Sequence, residues 1–421
     1  MTASAFATLF VVVLMANLAI KLTLMIRQIR HVTAERERVP APFTESISLS
    51  SHRKAADYTR ARMRLALFDL ALGALFILAM TLGGGLDALY GLLARWLDAG
   101  SLGHGVGLLA ALGLLGWLIE LPFGLYRTFG IEKRFGFNRM TPTLFVSDLA
   151  KSGALATLIG LPLLALVIWL MEAAGELWWL WVWAVWLTFN LLAAVIWPTL
   201  IAPMFNRFTP LSDDTLKARV EALLARCGFK SKGLFVMDGS RRSAHGNAYF
   251  TGFGTSKRIV FFDTLLNKLD PAEVEAVLAH ELGHFHHGHI WKRLVVMAAL
   301  ALAILAFLGW LVTQAWFFAG LGVSFAGTAT ALALFSLVLP VFAFPLGPIM
   351  SHWSRACEFE ADRYAADQTR ADDLVHALVK LYRDNAATLT PDPWYSRFFD
   401  SHPPAVVRVS HLRAIASQET R

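Results

Sequence analysis

Asp270-Pro-Ala-Glu-Val-Glu-Ala-Val-Leu-Ala-His-Glu-Leu-Gly-His-Phe-His-His-Gly-His289 holds the pattern H-E-x-x-H at His280, Glu281 and His284. In a helix, residues four apart stack on one face, so both imidazoles can reach a single metal ion. The local sequence predicts that helix. Asp270 is a good N-cap, Pro271 suits the first helical position, and Glu273 stands at capping-box spacing. Val274, Val277, Leu278 and Leu282 then form an apolar stripe at helical spacing.

What surrounds this stretch is strongly apolar. Hydrophobic residues make up 56% of the 421-residue chain and charged ones 16%, against about 25% charged in ordinary soluble domains. With 14 Trp and 30 Phe as well, the composition is that of a membrane protein, and the lipid bilayer is its first expected partner. Seven apolar stretches have the roughly 20 residues that a spanning helix needs: about 4–26, 65–83, 106–126, 153–171, 177–200, 294–318 and 328–349. The fourth and fifth are joined by a short turn around Glu172 and Glu176, which predicts a tight helical hairpin. No basic residues precede the first stretch and no small-residue cleavage pattern follows it, so it reads as an uncleaved span. No internal repeat stands out. Cys227 and Cys357 are the two cysteines, and their spacing implies no disulfide framework.

The net charge of +7 raises the question of nucleic acid, but the basic residues gather in particular loops rather than in one stripe. Segment 27–64 carries Arg53, Lys54, Arg60, Arg62 and Arg64 among others, whereas 84–105 has only Arg95. The third connection is basic again, the fourth has no Lys or Arg, the fifth (201–293) is long and basic, and the tail is rich in Arg. Positive charge marks cytoplasmic loops. The alternation therefore predicts an N-terminus outside, a C-terminus inside, and the H-E-x-x-H segment in the cytoplasm, with no nucleic acid as partner.

Segment 201–293 reads as a small α/β insert. Ser212 to Cys227 has helical periodicity, Gly233 to Met237 reads as a strand, and 248–253 with 258–262 reads as a hairpin turned by Gly254-Thr-Ser-Lys257. The expected organisation is thus 1–200 for five spans and their loops, 201–293 for the insert with the H-E-x-x-H helix, 294–349 for two more spans, and 350–421 for a cytoplasmic tail that completes the metal site. That tail is read as a helix near Asp372 to Asn385, then Ser401-His-Pro-Pro404, then a final helix to about Ser417. Asn17, Asp69, Glu120 and Asn190 fall in or at the ends of spans, where they either bond neighbouring helices or line a polar interior.

A catalytic zinc takes three protein ligands and keeps one position open. His280 and His284 supply two. The third must be a Glu, Asp or His elsewhere, and the best candidate is Glu358 in Glu358-Phe-Glu-Ala-Asp362, on the cytoplasmic side just after the seventh span. Asp362 lies four residues on, so one carboxylate can ligate while the other orients a ligand imidazole through its free ring N–H. Glu360 points elsewhere and is read as packing or surface. Glu281 lies between the histidines and is placed to act as general base toward a water that zinc acidifies from a pKa of 15.7 to about 7. Three ligands suffice, so His286, His287 and His289 are read as surface groups or as supports of the ligands. Cys357 points off the Glu358 face and is left out.

On these residues the chain resembles the type I CAAX prenyl endopeptidases, integral-membrane zinc metalloproteases of the gluzincin group. The resemblance covers nearly the whole length. It takes in the seven spans, His280-Glu-Leu-Gly-His284, Glu358-Phe-Glu-Ala-Asp362, Gly246-Asn-Ala-Tyr-Phe250, Ile131-Glu-Lys-Arg-Phe-Gly-Phe-Asn138, and Ser401-His-Pro-Pro404 with Arg408. Shorter heat-shock membrane peptidases share the metal motifs but have about four spans. The resemblance implies a mainly α, polytopic membrane protein, with seven transmembrane helices around an intramembrane chamber and a small cytoplasmic α/β metallopeptidase domain. It implies one Zn2+ on His280, His284 and Glu358, Glu281 as base, and Asp362 behind the ligands. It places Asn247 and Ala248 on an edge strand along the substrate backbone, as extended peptides add to open strand edges, and His402 and Arg408 near substrate and oxyanion. The family's reaction removes the last three residues after a prenylated cysteine, in a bacterial inner membrane or the endoplasmic reticulum according to the host. Two other readings fit the spans: a metal-regulated transporter or channel, disfavoured because no paired repeats appear, and a membrane-protein quality-control peptidase without prenyl specificity. A metal-binding scaffold without activity is disfavoured by Glu281 beside the full ligand set.

Overall fold

Helices in this chain outrun the apolar stretches that mark them. In the computed structural model, which describes residues 1–251 and 258–419, α1 (Ala3–Glu37) continues past the first stretch and α2 (Leu49–Met80) begins well before the second. The basic segment between them is therefore largely helical. Arg, Lys, Glu and Ala are good helix formers, so the charged residues extend each helix beyond the bilayer, while hydropathy marks only the apolar part. Three more helices of membrane length follow: α3 (Leu102–Glu132), α4 (Pro142–Ala173) and α5 (Gly175–Phe205). Side-chain caps start them where the sequence offers a hydroxyl, as at Ser48, Ser101 and Thr141. The α4–α5 hairpin turns at Gly175, whose φ of 64° is left-handed and favours glycine.

The insert begins with β1 (Phe208–Pro210), a three-residue strand that no sequence signal announces, followed by α6 (Asp214–Arg226). β2 (Leu234–Met237), β3 (Ala248–Thr251) and β4 (Arg258–Phe262) complete a four-stranded sheet in the order β1-β2-β4-β3. β2 runs parallel to β4 with Leu234 opposite Ile259, whereas β3 pairs antiparallel with β4, Ala248 opposite Phe261. The expected hairpin is present as that pair; its turn at Gly254–Lys257 lies outside the described residues. β3 is left as a sheet edge, beside α7 (Pro271–His286).

α8 (His289–Leu311) is the sixth helix of membrane length. It stops short of the expected end near 318 because polar Thr313 and Gln314 interrupt it, and Ala315–Gly320 forms a separate short helix. The seventh apolar stretch is bent: α9 (Thr328–Phe342) and α10 (Leu346–Gln368) meet at 63°, and count as a seventh span only when taken together. Pro340 lies inside α9 and Pro345 precedes α10; each lacks an N–H and crowds the preceding turn, which breaks a helix. The bend aims α10 at α7. The tail then adds α11 (Ala371–Asp384), α12 (Pro393–Phe399) and α13 (Ala405–Glu419).

Two large cores and two small buried clusters result among the described residues. Phe43, Val220, Leu223, Ile259, Phe261, Leu278, Leu374 and Val409 belong to one buried cluster, so the insert and the tail share a single interior. The membrane helices build the other large core around Phe10, Leu108, Phe317 and Leu334. Their apolar windows are only 0–28% buried by protein, leaving most of that surface for lipid. Among the polar groups in the spans, Asn17 donates to the Val341 carbonyl and ties α1 to α9, while Asn190 bonds back to Trp186 on its own helix. Arg242 locks the insert to α4 through both oxygens of Asp148, at 2.8 and 2.9 Å.

Candidate metal centre

α7 forms as its sequence predicts. Asp270 and Glu273 make a reciprocal capping box, with the Asp270 N–H donating to Glu273 Oε2 at 2.8 Å. Lys380 from α11 reaches both carboxylates at 2.7 Å, pinning the start of the helix to the tail. Val274, Leu278 and Leu282 are 1–2% exposed. Burial of that stripe fixes the rotation of α7 and turns His280 and His284 toward α10.

The two imidazoles and one carboxylate converge. His280 Nε2 lies 3.5 Å from Glu358 Oε2, and His284 Nε2 lies 3.5 Å from Glu358 Oε1. All three residues offer ligand atoms within 4.8 Å of one another. Ligand atoms around a tetrahedral ion at about 2.0–2.1 Å stand about 3.3 Å apart, so the spacing fits a metal. A second observation agrees: Glu358 Oε2 is buried without a hydrogen-bond partner. The Arg408 guanidinium stands 3.5 Å from it without a hydrogen bond, so the ionised oxygen still gains from a cation that approaches more closely. Two imidazole nitrogens and a carboxylate oxygen form a donor set suited to a borderline-soft divalent ion.

Behind this cluster sits a charged brace. Asp362 is fully buried, and its Oδ1 meets His280 Nδ1 at 2.8 Å. Arg408, 5% exposed, grips both oxygens of Asp362, from Nη2 at 2.6 Å and from Nε at 2.8 Å. Burial opposes the Arg408 charge, but the Asp362 carboxylate outweighs it and holds the guanidinium pKa above its ordinary value. Arg408 Nη2 also lies 3.1 Å from His280 Nδ1. That nitrogen already directs its one hydrogen at Asp362, so the approach is a side-on contact rather than a second hydrogen bond.

The other side is open. Glu281, His284, Glu358 and His402 line a pocket of about 360 Å³ whose apolar wall includes Tyr249, Phe250, Met350 and Trp353. His402 Nε2 stands 3.4 Å from Glu358 Oε1, with its side chain 64% exposed. Its loop is fastened at both ends of α12. Asp392 caps that helix by accepting from the Trp394 and Tyr395 N–H groups and pairs with Arg27 of α1 at 2.9 Å; at the far end Arg355 donates to the Asp400 carbonyl at 2.7 Å.

Six of the expected site residues thus gather at one place: His280, Glu281, His284, Glu358, Asp362 and His402. Arg408 is with them but outside the pocket lining, paired with Asp362 and with its Nη1 3.5 Å from Glu358 Oε2. Ala248, directly after Asn247, begins the edge strand whose next two residues, Tyr249 and Phe250, reach the pocket. Phe262 N–H donates to the Asn247 carbonyl, so by the alternation of an antiparallel pair the backbone groups of Ala248 face the open edge. Sequence reasoning left His289 between a surface group and a support of the ligands and read Glu360 as packing or surface; the structure pairs the two next to His284. His289 is 7% exposed, its Nδ1 lies 2.9 Å from His284 Nδ1, and its Nε2 lies 2.8 Å from Glu360 Oε2. The available signal was Gly288, which at φ 66° ends α7 and starts α8, turning His289 back toward the site.

Residues 28–207 match the family model described as CAAX prenyl protease N-terminal, five membrane helices, and residues 210–416 match peptidase family M48. The chain is 32% identical over 414 residues to CAAX prenyl protease 1 of Saccharomyces cerevisiae, covering 91% of this chain and 90% of that one. It is 38% identical over 316 residues to the CAAX prenyl protease 1 homolog of Arabidopsis thaliana, covering 73% of each, and 31% identical over 339 residues to the Homo sapiens homolog, covering 71% of each. The crystal structure of S. mikatae Ste24p superposes with a TM-score of 0.90 at 29% identity, over 97% of this chain and 98% of that one.

Proposed function

The chain belongs to the CAAX prenyl protease family of M48 peptidases and is a membrane metalloendopeptidase, and we propose that it cleaves prenylated C-terminal peptides with a zinc ion held by His280, His284 and Glu358. The observation that carries this reading is the convergence of those three side chains, with one His280 or His284 Nε2 at 3.5 Å from each Glu358 oxygen, beside a pocket that also holds Glu281. When bound, zinc polarises the scissile carbonyl and makes a water nucleophilic at neutral pH.

The chain's own residues supply the remaining chemistry. Glu281 takes a proton from the attacking water as its oxygen bonds to the carbonyl carbon, then delivers that proton to the leaving amine nitrogen as the C–N bond breaks. His402, on the open side of the cluster, is the group placed to meet charge developing on the carbonyl oxygen. Arg408 acts further back, keeping Asp362 ionised and oriented against His280. The substrate backbone adds to β3 at Asn247 and Ala248, with alternate side chains directed to the apolar wall. Loop charges support a cytoplasmic position for this site, an arrangement in which the prenyl chain of a substrate can remain in the bilayer while its peptide reaches the pocket.

The test is cleavage of a farnesylated peptide and its unmodified counterpart side by side, with and without a zinc chelator. Preferential, chelator-sensitive cleavage of the farnesylated peptide is expected. Equal rates on both would overturn prenyl selectivity and favour a general membrane-protein peptidase.

A further inference from the structure

His280 and His284 are used in the same way. Each turns Nε2 toward Glu358 and Nδ1 toward a group behind it. For His280 that group is Asp362, held in turn by Arg408. For His284 it is His289, held in turn by Glu360. The second pair is assembled from two helices that the site already uses. Glu360 stands two residues beyond Glu358 on α10, and His289 opens α8 directly after the left-handed Gly288.

Proton positions follow from the ligand. An imidazole that binds a metal through Nε2 has no hydrogen there and, when neutral, carries its hydrogen on Nδ1. His284 Nδ1–H must therefore donate, and His289 Nδ1 must accept. A neutral His289 then has its hydrogen on Nε2, directed at Glu360 Oε2. Each of the three groups has one role in this chain, with no donor or acceptor in conflict.

We infer that His289 is a positioning residue for the metal ligand His284, fixing its tautomer and ring orientation, and that Glu360 fixes His289. This rests on the reading of His284 as a ligand. The pair is a counterpart of the Asp362–Arg408 brace with a neutral imidazole, rather than a carboxylate, next to the ligand, and it links the metal centre to the first turn of membrane helix α8. Supports of this kind are worth about 10–100-fold in metal affinity when removed.

The test is the affinity of the purified full-length chain for zinc alone, measured by competition with a chromophoric chelator, on His289→Leu, His289→Asn and Glu360→Leu. His289→Leu removes the acceptor and is expected to weaken zinc binding about 10–100-fold. His289→Asn places an amide oxygen close to the position of Nδ1 and should recover most of the loss, which a purely structural role of the ring would not allow. Glu360→Leu, at a half-exposed position, should weaken binding less than His289→Leu. Wild-type affinity in His289→Leu, or equal loss in His289→Leu and His289→Asn, would overturn the inference. Folding failure of His289→Leu leaves the Asn and Glu360 variants to decide: loss of affinity in the Asn variant, or wild-type affinity in Glu360→Leu, would count against it. His284→Ala run in parallel separates the two levels. Unchanged zinc affinity there would overturn the ligand reading itself, whereas loss in His284→Ala with none in His289→Leu would overturn only the positioning role.

Discussion

Gly283 on α7 passes Ala361 on α10 so closely that a Cβ built on the glycine would lie 2.8 Å from the Ala361 Cα. The two residues sit beside the metal cluster, Gly283 next to His284 and Ala361 next to Asp362. Their contact sets how near the histidines come to Glu358. The conflicting atom belongs to backbone, so no side-chain rotation relieves it.

Gly283→Ala follows directly. Alanine favours a helix over glycine by about 1 kcal/mol, but forcing two packed backbones apart costs about 1–3 kcal/mol, and the separation falls on the ligand spacing. The variant should melt below wild type and bind zinc more weakly. Differential scanning calorimetry with and without zinc checks both.

Glu281→Gln keeps the shape of the pocket and all three candidate ligands but removes the proton acceptor. Zinc content should be unchanged, and turnover should fall by about 10²–10⁴-fold, the usual contribution of general base catalysis. Metal analysis and peptide cleavage on one preparation separate this from loss of the ion.

Arg408→Met leaves the buried Asp362 carboxylate without its main counter-charge. Breaking a buried pair in this way costs about 3–5 kcal/mol. The double variant with Asp362→Asn should lose much less than the sum of the single changes. Denaturant unfolding of the zinc-free protein measures the cycle.

Asp392 gives a pH dependence. Its burial would raise the carboxyl pKa, but the Tyr395 N–H, the Arg27 guanidinium and the Trp394 N–H outweigh burial and hold it below its ordinary value. A depressed folded-state pKa contributes stability that is present above the unfolded value near 3.9 and is lost as pH falls through the folded value. The advantage of wild type over Asp392→Asn in thermal midpoint should therefore be steady at neutral pH and shrink below about pH 4. Because Asp392 caps α12, the helix that leads into the His402 loop, the variant should also turn over more slowly.

Much of this organisation was legible in local patterns. The cap at Asp270, the stripe from Val274 to Leu282 and the spacing of His280 with His284 all lie within one helix, where periodicity and capping speak for themselves. Glu358 and Asp362 were legible for the same reason. The features missed or left open depend on contacts between elements distant in sequence. β1 is three residues held by pairing with β2, and no alternation marks so short a strand. His289 and Glu360 meet across two helices after a left-handed turn, so the nearest sequence signal, Gly288, speaks of a break and not of a partner. The seventh span was read as one apolar stretch at 328–349, since hydropathy does not register the bend between α9 and α10, although Pro340 and Pro345 carry its cause. Arg408 was placed near substrate and oxyanion by resemblance; its burial against Asp362 and its approach to Glu358 are properties of packing that local sequence does not carry.

The central claim is that His280, His284 and Glu358 hold a zinc ion on which peptide cleavage depends. Its most direct test is the zinc content and cleavage rate of the purified chain before chelation, after chelation and after zinc is restored. One zinc per chain is expected, with cleavage lost on removal and regained on return, and with no such recovery in His280→Ala. Cleavage at the full rate by protein shown to contain no metal would contradict the account.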